Sequence, residues 1–307
     1  MTPAIGDDLH ARDELFVART LDRLAPAIER LWSPRAEGAE HLARGGAALV
    51  VGNHSGGVLA MLEPLVLAHA VRGAVGTTRL PHLLLHEVMW RSPAAPVVAR
   101  LGAVRASEPN ATALLSRGRP VLVYPGGDRE AFRSFFDRDR VQLGDRRGYL
   151  RLALRAGAPI VPVVTAGFHS GHVTLHDGHP LAQRLPLARS LRVGVLPLTF
   201  SLPFGLTFGA PPPYLPMSRR VRIRVLPPIR FTRAGEAAAN DVAYVEACHR
   251  IVSGAMQYAL DELSRVRRLE RRRDLHDALD GALDRLDRWT GAGIAIPSLR
   301  PTLRRAA

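Results

Sequence analysis

Leu49-Val50-Val51-Gly52-Asn53-His54-Ser55-Gly56-Gly57 reads as a buried strand that opens into a tight loop with a histidine at the turn. A short run of branched aliphatics offers no wet face, so it suits a strand covered on both sides. Such strands belong to sheets layered with helices, and folds of this kind place chemistry where the strands end. A histidine at that point exchanges a proton near neutral pH, and two glycines let a ligand approach the backbone. The texture recurs outward from this segment. Residues 121–124 and 159–164 are further apolar runs bounded by Gly and Pro, and residues 220–225 alternate arginine with Val221, Ile223 and Val225, the period-two mark of a strand that ends the sheet.

Helical patterns surround these runs. Residues 8–32 carry Leu24, Ile28, Leu31 and Trp32 on one face and stop before Pro34. Residues 110–117 suit a helix capped by Asn110 and terminated by Gly118. Residues 241–289 read as helix, with Leu275, Leu279, Leu283 and Leu286 in a stripe. The expected fold is α/β, a mixed central sheet flanked by helices. Its expected parts are an N-terminal helix at 1–36, a core at 37–235 and a helical extension at 236–307.

The chain has 307 residues and a formal net charge of +14, and because it lacks lysine all of its basic side chains are arginine. A single cysteine, Cys248, excludes an internal disulfide framework and any multi-cysteine zinc site. The polar, acidic first ten residues do not resemble a secretory signal, so cytosolic exposure is expected. An arginine surplus calls for an anionic partner, either nucleic acid or an acidic membrane surface.

The distribution of charge decides between them. No acid occurs between Asp177 and Glu236, and residues 193–217 carry no charge at all. Pro197, Pro203, Pro211, Pro212, Pro213 and Pro216 break any continuous helix there, so a broken hairpin lying in the membrane interface is expected instead of a span. Leu198, Phe200, Phe204 and Phe208 would insert, and Arg192 and Arg219 on the flanks would meet anionic headgroups. The alternative is a Pro-rich loop buried under the C-terminal helices. Nucleic acid is not expected as a partner, because the basic residues bracket this apolar segment and offer no exposed aromatic stacking platform.

A second glycine turn follows the strand at 121–124, in Tyr124-Pro125-Gly126-Gly127-Asp128-Arg129-Glu130. Backbone amides in such turns stabilise an oxyanion, Arg129 suits an anion, and Glu130 is able to orient a histidine. With Leu101-Gly102-Ala103-Val104-Arg105-Ala106 and the pair Arg147-Gly148-Tyr149 and Pro159-Ile160-Val161-Pro162-Val163, these make four blocks in order. Together they resemble the lysophospholipid and glycerolipid acyltransferase superfamily, and in particular its diacylglycerol-acyltransferase-like branch, over roughly residues 45–229.

The resemblance implies that His54 is a general base for direct transfer of a fatty acyl group from acyl-CoA or an acyl carrier protein to a lipid hydroxyl, at the cytoplasmic face of a membrane. It implies no acyl-enzyme and no cofactor or metal beyond the thioester substrate. Gly56, Gly57, Gly126 and Gly127 would serve the oxyanion and the donor, and Asn53, Ser55 and Arg129 the acceptor.

Two departures stand out. The phospholipid branch has an aspartate five residues after its histidine, where this chain has Leu59, and it has a glutamate where this chain has Gly126. Glu63 is the next carboxylate, but on a regular helix its offset of nine points it away from His54 unless the loop is irregular. Glu130 is therefore the expected companion. Three rival readings remain. A hydrolase using Ser55 lacks the glycine two residues before the serine. A metal site at His169, His172, His176, Asp177 and His179 has glycines that oppose a helix. A lipid-binding scaffold would have lost catalysis with the aspartate.

Overall fold

The computed structural model describes residues 4–43, 45–184, 194–209, 214, 216 and 220–290, and the side chains of these apart from 170, 171 and 274–290. The chain divides into two compact units, Met1–Leu263 and Ser264–Ala307. In the first, seven strands make one sheet: β1 (Arg35–Glu37), β2 (Leu49–Gly52), β3 (His82–Leu85), β4 (Ala103–Arg105), β5 (Val121–Val123), β6 (Ile160–Ala166) and β10 (Arg222–Val225), in the order β1-β10-β6-β2-β5-β3-β4. Strands β6, β2, β5, β3 and β4 run parallel; β10 is antiparallel to β6, and β1 is parallel to β10. The strand at 220–225 thus comes last in the chain but does not end the sheet, because β1 pairs along its other side.

Alternation along the strands feeds two cores. Leu49, Val51, Val121, Ile160 and Val164 face one layer with Leu114, Leu150 and Leu154. Val50, Leu122, Val161, Val163 and Ile223 face the other, with Val17, Leu21, Ile28 and Trp32 of α1 (Glu14–Trp32) and Val66, Leu67 and Val71 of α3 (Glu63–Val75). Cover on both faces explains why these strands read as continuous hydrophobic runs. The expected boundary at 36/37 falls inside β1, and α1 shares the core of the sheet. Its N-cap is Asp13, whose carboxylate accepts the Phe16 amide at 2.9 Å, so the helix starts later than residue 8. Leu24 faces outward, and Val17 and Leu21 complete the buried stripe. The helix expected at 110–117 spans Glu108–Ser116 and is capped by Ser107, not by Asn110.

The last helix runs Val242–Thr290. Within the first unit it packs Val245, Cys248, Val252, Met256, Ala259, Leu260 and Leu263 on the core at helical spacing. The side chains of the leucine stripe at 275–286 lie outside the described residues. Among the described residues one stretch, Gly57–Val75, is apolar and long enough to cross a membrane by length and composition. It contains α3, whose inner face is buried on the sheet.

Within the segment expected as a broken hairpin, 193–217, residues 198–208 form one. Strands β7 (Val173–His176), β8 (Leu198–Ser201) and β9 (Gly205–Phe208) form a second, antiparallel sheet. Its polarity is inverted. Thr174, Thr199 and Ser201 are fully buried, while Phe200, Leu206 and Phe208 stand 42, 60 and 63% exposed, and Leu202 and Phe204 at the turn are exposed too. An antiparallel sheet with one face in water shows the opposite pattern. Arg192 and Arg219 lie outside the described residues.

Candidate active site

The parallel strands β2, β5 and β6 end side by side, and their carboxyl ends carry the polar residues. Asn53 ties the first to the third: its Nδ2 donates to the Thr165 carbonyl at 3.0 Å, and its Oδ1 accepts the Thr165 amide at 2.7 Å. Asn53 is fully buried, so it fixes the exit of β2 and is not free to hold an acceptor. His54 follows, with a ring that remains 20% exposed. The ring stacks on Tyr124 at a centroid distance of 4.5 Å. Gly52 permits this approach, because a Cβ there would lie 2.4 Å from the Tyr124 ring.

Glu63 is the carboxylate that meets the ring. His54 Nδ1 lies 3.0 Å from Glu63 Oε2, and the other oxygen takes the Ser55 hydroxyl at 3.3 Å. The Ser55 amide adds a third donor at 3.2 Å. The loop is irregular in the way that this requires. Gly56 and Gly57 adopt φ of +95° and +56°, a 3₁₀ turn spans Gly57–Leu62, and α3 then begins at Glu63, returning the carboxylate to the histidine. A regular helix could not close an offset of nine in this way.

Glu130, the expected companion, sits elsewhere. Its Oε2 accepts the His54 backbone amide at 2.8 Å and its Oε1 the Gln142 amide at 2.9 Å. It positions the loop and does not touch the ring. Arg133 supports the same loop, donating from Nη1 to the carbonyls of His54 at 2.6 Å and Glu130 at 2.7 Å. Both carboxylates and this guanidinium are buried. Burial pushes the Glu63 carboxyl up, opposed by the His54 and Ser55 hydrogen bonds and the Arg133 charge. It raises Glu130 likewise, opposed chiefly by the Arg133 charge, and lowers Arg133. Two acids and one guanidinium in one buried cluster offset one another's desolvation.

Other expected site residues separate by location. The Gly127 amide donates to the Tyr124 carbonyl at 3.2 Å, so it is engaged in its own turn and not in an oxyanion. Gly126 is a packing position, with a Cβ there meeting the Gln142 carbonyl at 2.3 Å. Arg129 is exposed beside Asp128, whose carboxylate accepts the Gly194 amide at 2.5 Å. Ser55 is buried with its hydroxyl on Glu63, which removes it as an exposed nucleophile. The histidines of the 169–179 loop do not aim at one point: the His169 ring packs edge-on against His172 at 5.2 Å between centroids, His172 bonds Tyr214 and Thr174, His176 accepts the Gly178 amide, and His179 faces the Gly194 carbonyl. Among the described residues no three His, Cys, Asp or Glu side chains converge as metal ligands.

The family model described as diacylglycerol acyltransferase matches residues 46–263, which takes in the whole sheet except β1 together with the His54 loop. The chain belongs to the diacylglycerol acyltransferase family. An uncharacterized Mycobacterium tuberculosis protein is 32% identical over 55% of this chain and 50% of its own length. A Gallus gallus protein described as a DGAT1/2-independent enzyme synthesizing storage lipids is 28% identical over 45% of this chain and 41% of its own. The chain therefore spans about half the length of the curated relatives it matches. Among solved structures, the 1-acyl-sn-glycerophosphate (LPA) acyltransferase PlsC from Thermotoga maritima aligns over 82% of this chain and 78% of that one, with a TM-score of 0.47 and 17% identity. Membership of the diacylglycerol acyltransferase family fits the four blocks read from the sequence, and with leucine at position 59 the carboxylate that meets the His54 ring is Glu63.

Proposed function

We propose that this protein is an acyltransferase working at a membrane surface, with His54 as general base and Glu63 as the group that orients it. The observation that carries the reading is the His54 Nδ1 to Glu63 contact of 3.0 Å at the carboxyl ends of the strands, in a chain of the diacylglycerol acyltransferase family. A carboxylate that only accepts holds the proton on Nδ1 and leaves Nε2 bare. Nε2 then takes the proton of an acceptor hydroxyl as that oxygen attacks a thioester carbonyl of acyl-CoA or acyl carrier protein. The tetrahedral intermediate collapses, the C–S bond breaks, and the thiolate leaves and recovers a proton from the imidazolium. The loop at Gly56 and Gly57 supplies amide hydrogens for the oxyanion, where a donor is typically worth about 3 kcal/mol. The acceptor in this reading is a hydroxyl of a glycerolipid.

The inverted sheet supports the membrane placement. Phe200, Leu202, Phe204, Leu206 and Phe208 form an apolar face beside a cleft of about 420 Å³ whose lining includes Leu181, Leu196, Leu198, Arg184 and His176. An apolar patch beside a cleft whose described lining holds an arginine and no acid suits the headgroup boundary of an anionic bilayer, and we place the protein at the cytoplasmic face. The test is lipid analysis of a host expressing the wild type or His54→Ala. An acylated lipid present only with the wild type names acceptor and chain together, and identical lipid profiles would overturn the reading in favour of a lipid-binding scaffold.

A further inference from the structure

His172 and Tyr214 lie outside the His54–Glu63 pair yet reach its loop. The Tyr214 hydroxyl contacts the Gly56 carbonyl and lies 3.0 Å from His172 Nδ1, while His172 Nε2 lies 2.9 Å from Thr174 Oγ1 on β7. Tyr214 is 4% exposed, and His172 and Thr174 are fully buried. The direction of every bond follows from the first one. A carbonyl only accepts, so the one phenolic proton goes to Gly56 and the Tyr214 oxygen must accept from Nδ1–H. A neutral imidazole has one N–H, so Nε2 accepts the Thr174 hydroxyl proton. The scheme needs an uncharged ring, and burial, helped by the Arg133 charge, takes His172 down to about 4.

The chain of bonds ends on the one peptide plane of the loop that local sterics leave free. Gly56 and Gly57 are both left-handed and lack a Cβ, so nothing in their own structure prevents the plane between them from turning over. Its carbonyl and its N–H point in opposite directions across a trans peptide. Holding the Gly56 carbonyl therefore aims the Gly57 N–H the other way, and a bond accepted by the carbonyl polarises the plane and strengthens that N–H as a donor. The backbone is pressed onto the pair that holds it: a Cβ at Gly57 would lie 2.8 Å from the Tyr214 hydroxyl and 3.0 Å from His172 Nε2.

We propose that Thr174, His172 and Tyr214 form a positioning relay that fixes the Gly56–Gly57 peptide with the Gly57 N–H presented to the thioester oxygen as it becomes negative. Tyr214 is thus a positioning residue for acyl transfer. The inference rests on the reading of His54 as base of an acyltransferase.

Tyr214→Phe removes one oxygen and keeps the ring. With palmitoyl-CoA and mixed lyso- and diacylglycerolipid acceptors in vesicles, kcat is expected to fall by roughly tenfold to a hundredfold, short of the loss of a whole oxyanion donor. KM for palmitoyl-CoA is expected to stay within about twofold, because the oxyanion exists only in the transition state. His172→Gln, which donates to Tyr214 and accepts from Thr174, restores most of the rate that His172→Leu loses. A second readout needs no turnover. Glycine pairs occur only at 45–46, 56–57 and 126–127, so protein labelled with ¹³C-carbonyl and ¹⁵N glycine gives three carbonyl-to-amide correlations. The Gly56–Gly57 signal is expected to move in Tyr214→Phe and the other two to stay. An unmoved signal, or a wild-type kcat in Tyr214→Phe while His54→Ala is inactive, overturns the relay alone. Activity retained by His54→Ala overturns the underlying reading, and the labelled glycine pair then decides whether the relay exists.

Discussion

Replacing Glu63 by glutamine keeps the shape of the side chain and removes only its charge and its obligation to accept. In the wild type the carboxylate receives His54 Nδ1–H, the Ser55 amide and the Ser55 hydroxyl. A glutamine amide is able to donate to Nδ1, which moves the ring proton to Nε2 and abolishes the base. In the proposed mechanism the lost charge matters as well, because the imidazolium formed during transfer would carry its Nδ1 3.0 Å from Glu63. At that distance and an effective dielectric of ~20 the attraction is about 5.5 kcal/mol. The ring is 20% exposed, so part of this is screened; about 3–5 kcal/mol remains, or roughly 10²–10⁴ in kcat.

Stability moves differently. Burial raises the Glu63 carboxyl above its unfolded value, so the native state holds the proton to higher pH than the unfolded chain does. More protons bound in the native state means that stability declines as pH rises from the unfolded value of about 4.5 toward the raised native one. Glu63→Gln removes that decline. The assay is thiol release from acyl-CoA at saturating donor, beside thermal melts at pH 5 and pH 8. The expected result is a rate lower by at least a hundredfold with a melting temperature at pH 8 no lower than the wild type. A rate within threefold of the wild type, or a loss of rate matched by unfolding, would refute the reasoning.

Glu130→Ala strips the acceptor from two buried amides and leaves Arg133 without its nearest carboxylate; a loss of about 3 kcal/mol is expected in urea unfolding, with a smaller fall in rate per folded molecule than for Glu63→Gln. Phe204→Ser, Leu206→Ser and Phe208→Ser together remove about 1 kcal/mol of insertion each. Sedimentation with anionic vesicles should then show binding weakened by roughly a hundredfold, with unchanged circular dichroism. His82, buried and donating to the Gly102 carbonyl, is pushed down to about 4. A histidine kept neutral in the native state but charged on unfolding contributes stability that is full above pH ~6.5 and lost as pH falls toward 4; the fall in urea midpoint between pH 7 and pH 4.5 should be shallower in His82→Gln.

Much of this architecture is legible in the sequence because the parallel strands are covered on both faces, and short apolar runs such as 49–51 and 121–123 then carry an unmixed signal. The hairpin at 198–208 is legible for a related reason, since prolines and glycines forbid a helix across a charge-free run. Strand β1 is not: its three residues, Arg35–Glu37, have no apolar period, and only their register with β10 makes them a strand. The companion of His54 escapes the reading because the path from 56 to 63 depends on two left-handed glycines and a 3₁₀ turn, which spacing rules for regular helices do not contain. One signal did point to it. Glu63 is the sole acid between His54 and Glu87, set within a strongly apolar run, and a lone buried carboxylate demands a partner. Arg133 and Tyr214 carried no comparable mark, as their partners, backbone carbonyls and for Tyr214 also the His172 ring, are brought near only by the fold.

The central claim, that His54 removes the acceptor proton, is tested most directly by balancing products in a purified system. Wild-type protein on anionic vesicles with mixed lipid acceptors is given palmitoyl-CoA or palmitoyl carrier protein, and free thiol and acylated lipid are counted. With one of these donors, thiol and new ester should appear one for one, and His54→Ala, folded and bound to the same vesicles, should form neither above background. Transfer by His54→Ala at the wild-type rate, or no thiol released by the wild type from either donor, would contradict it.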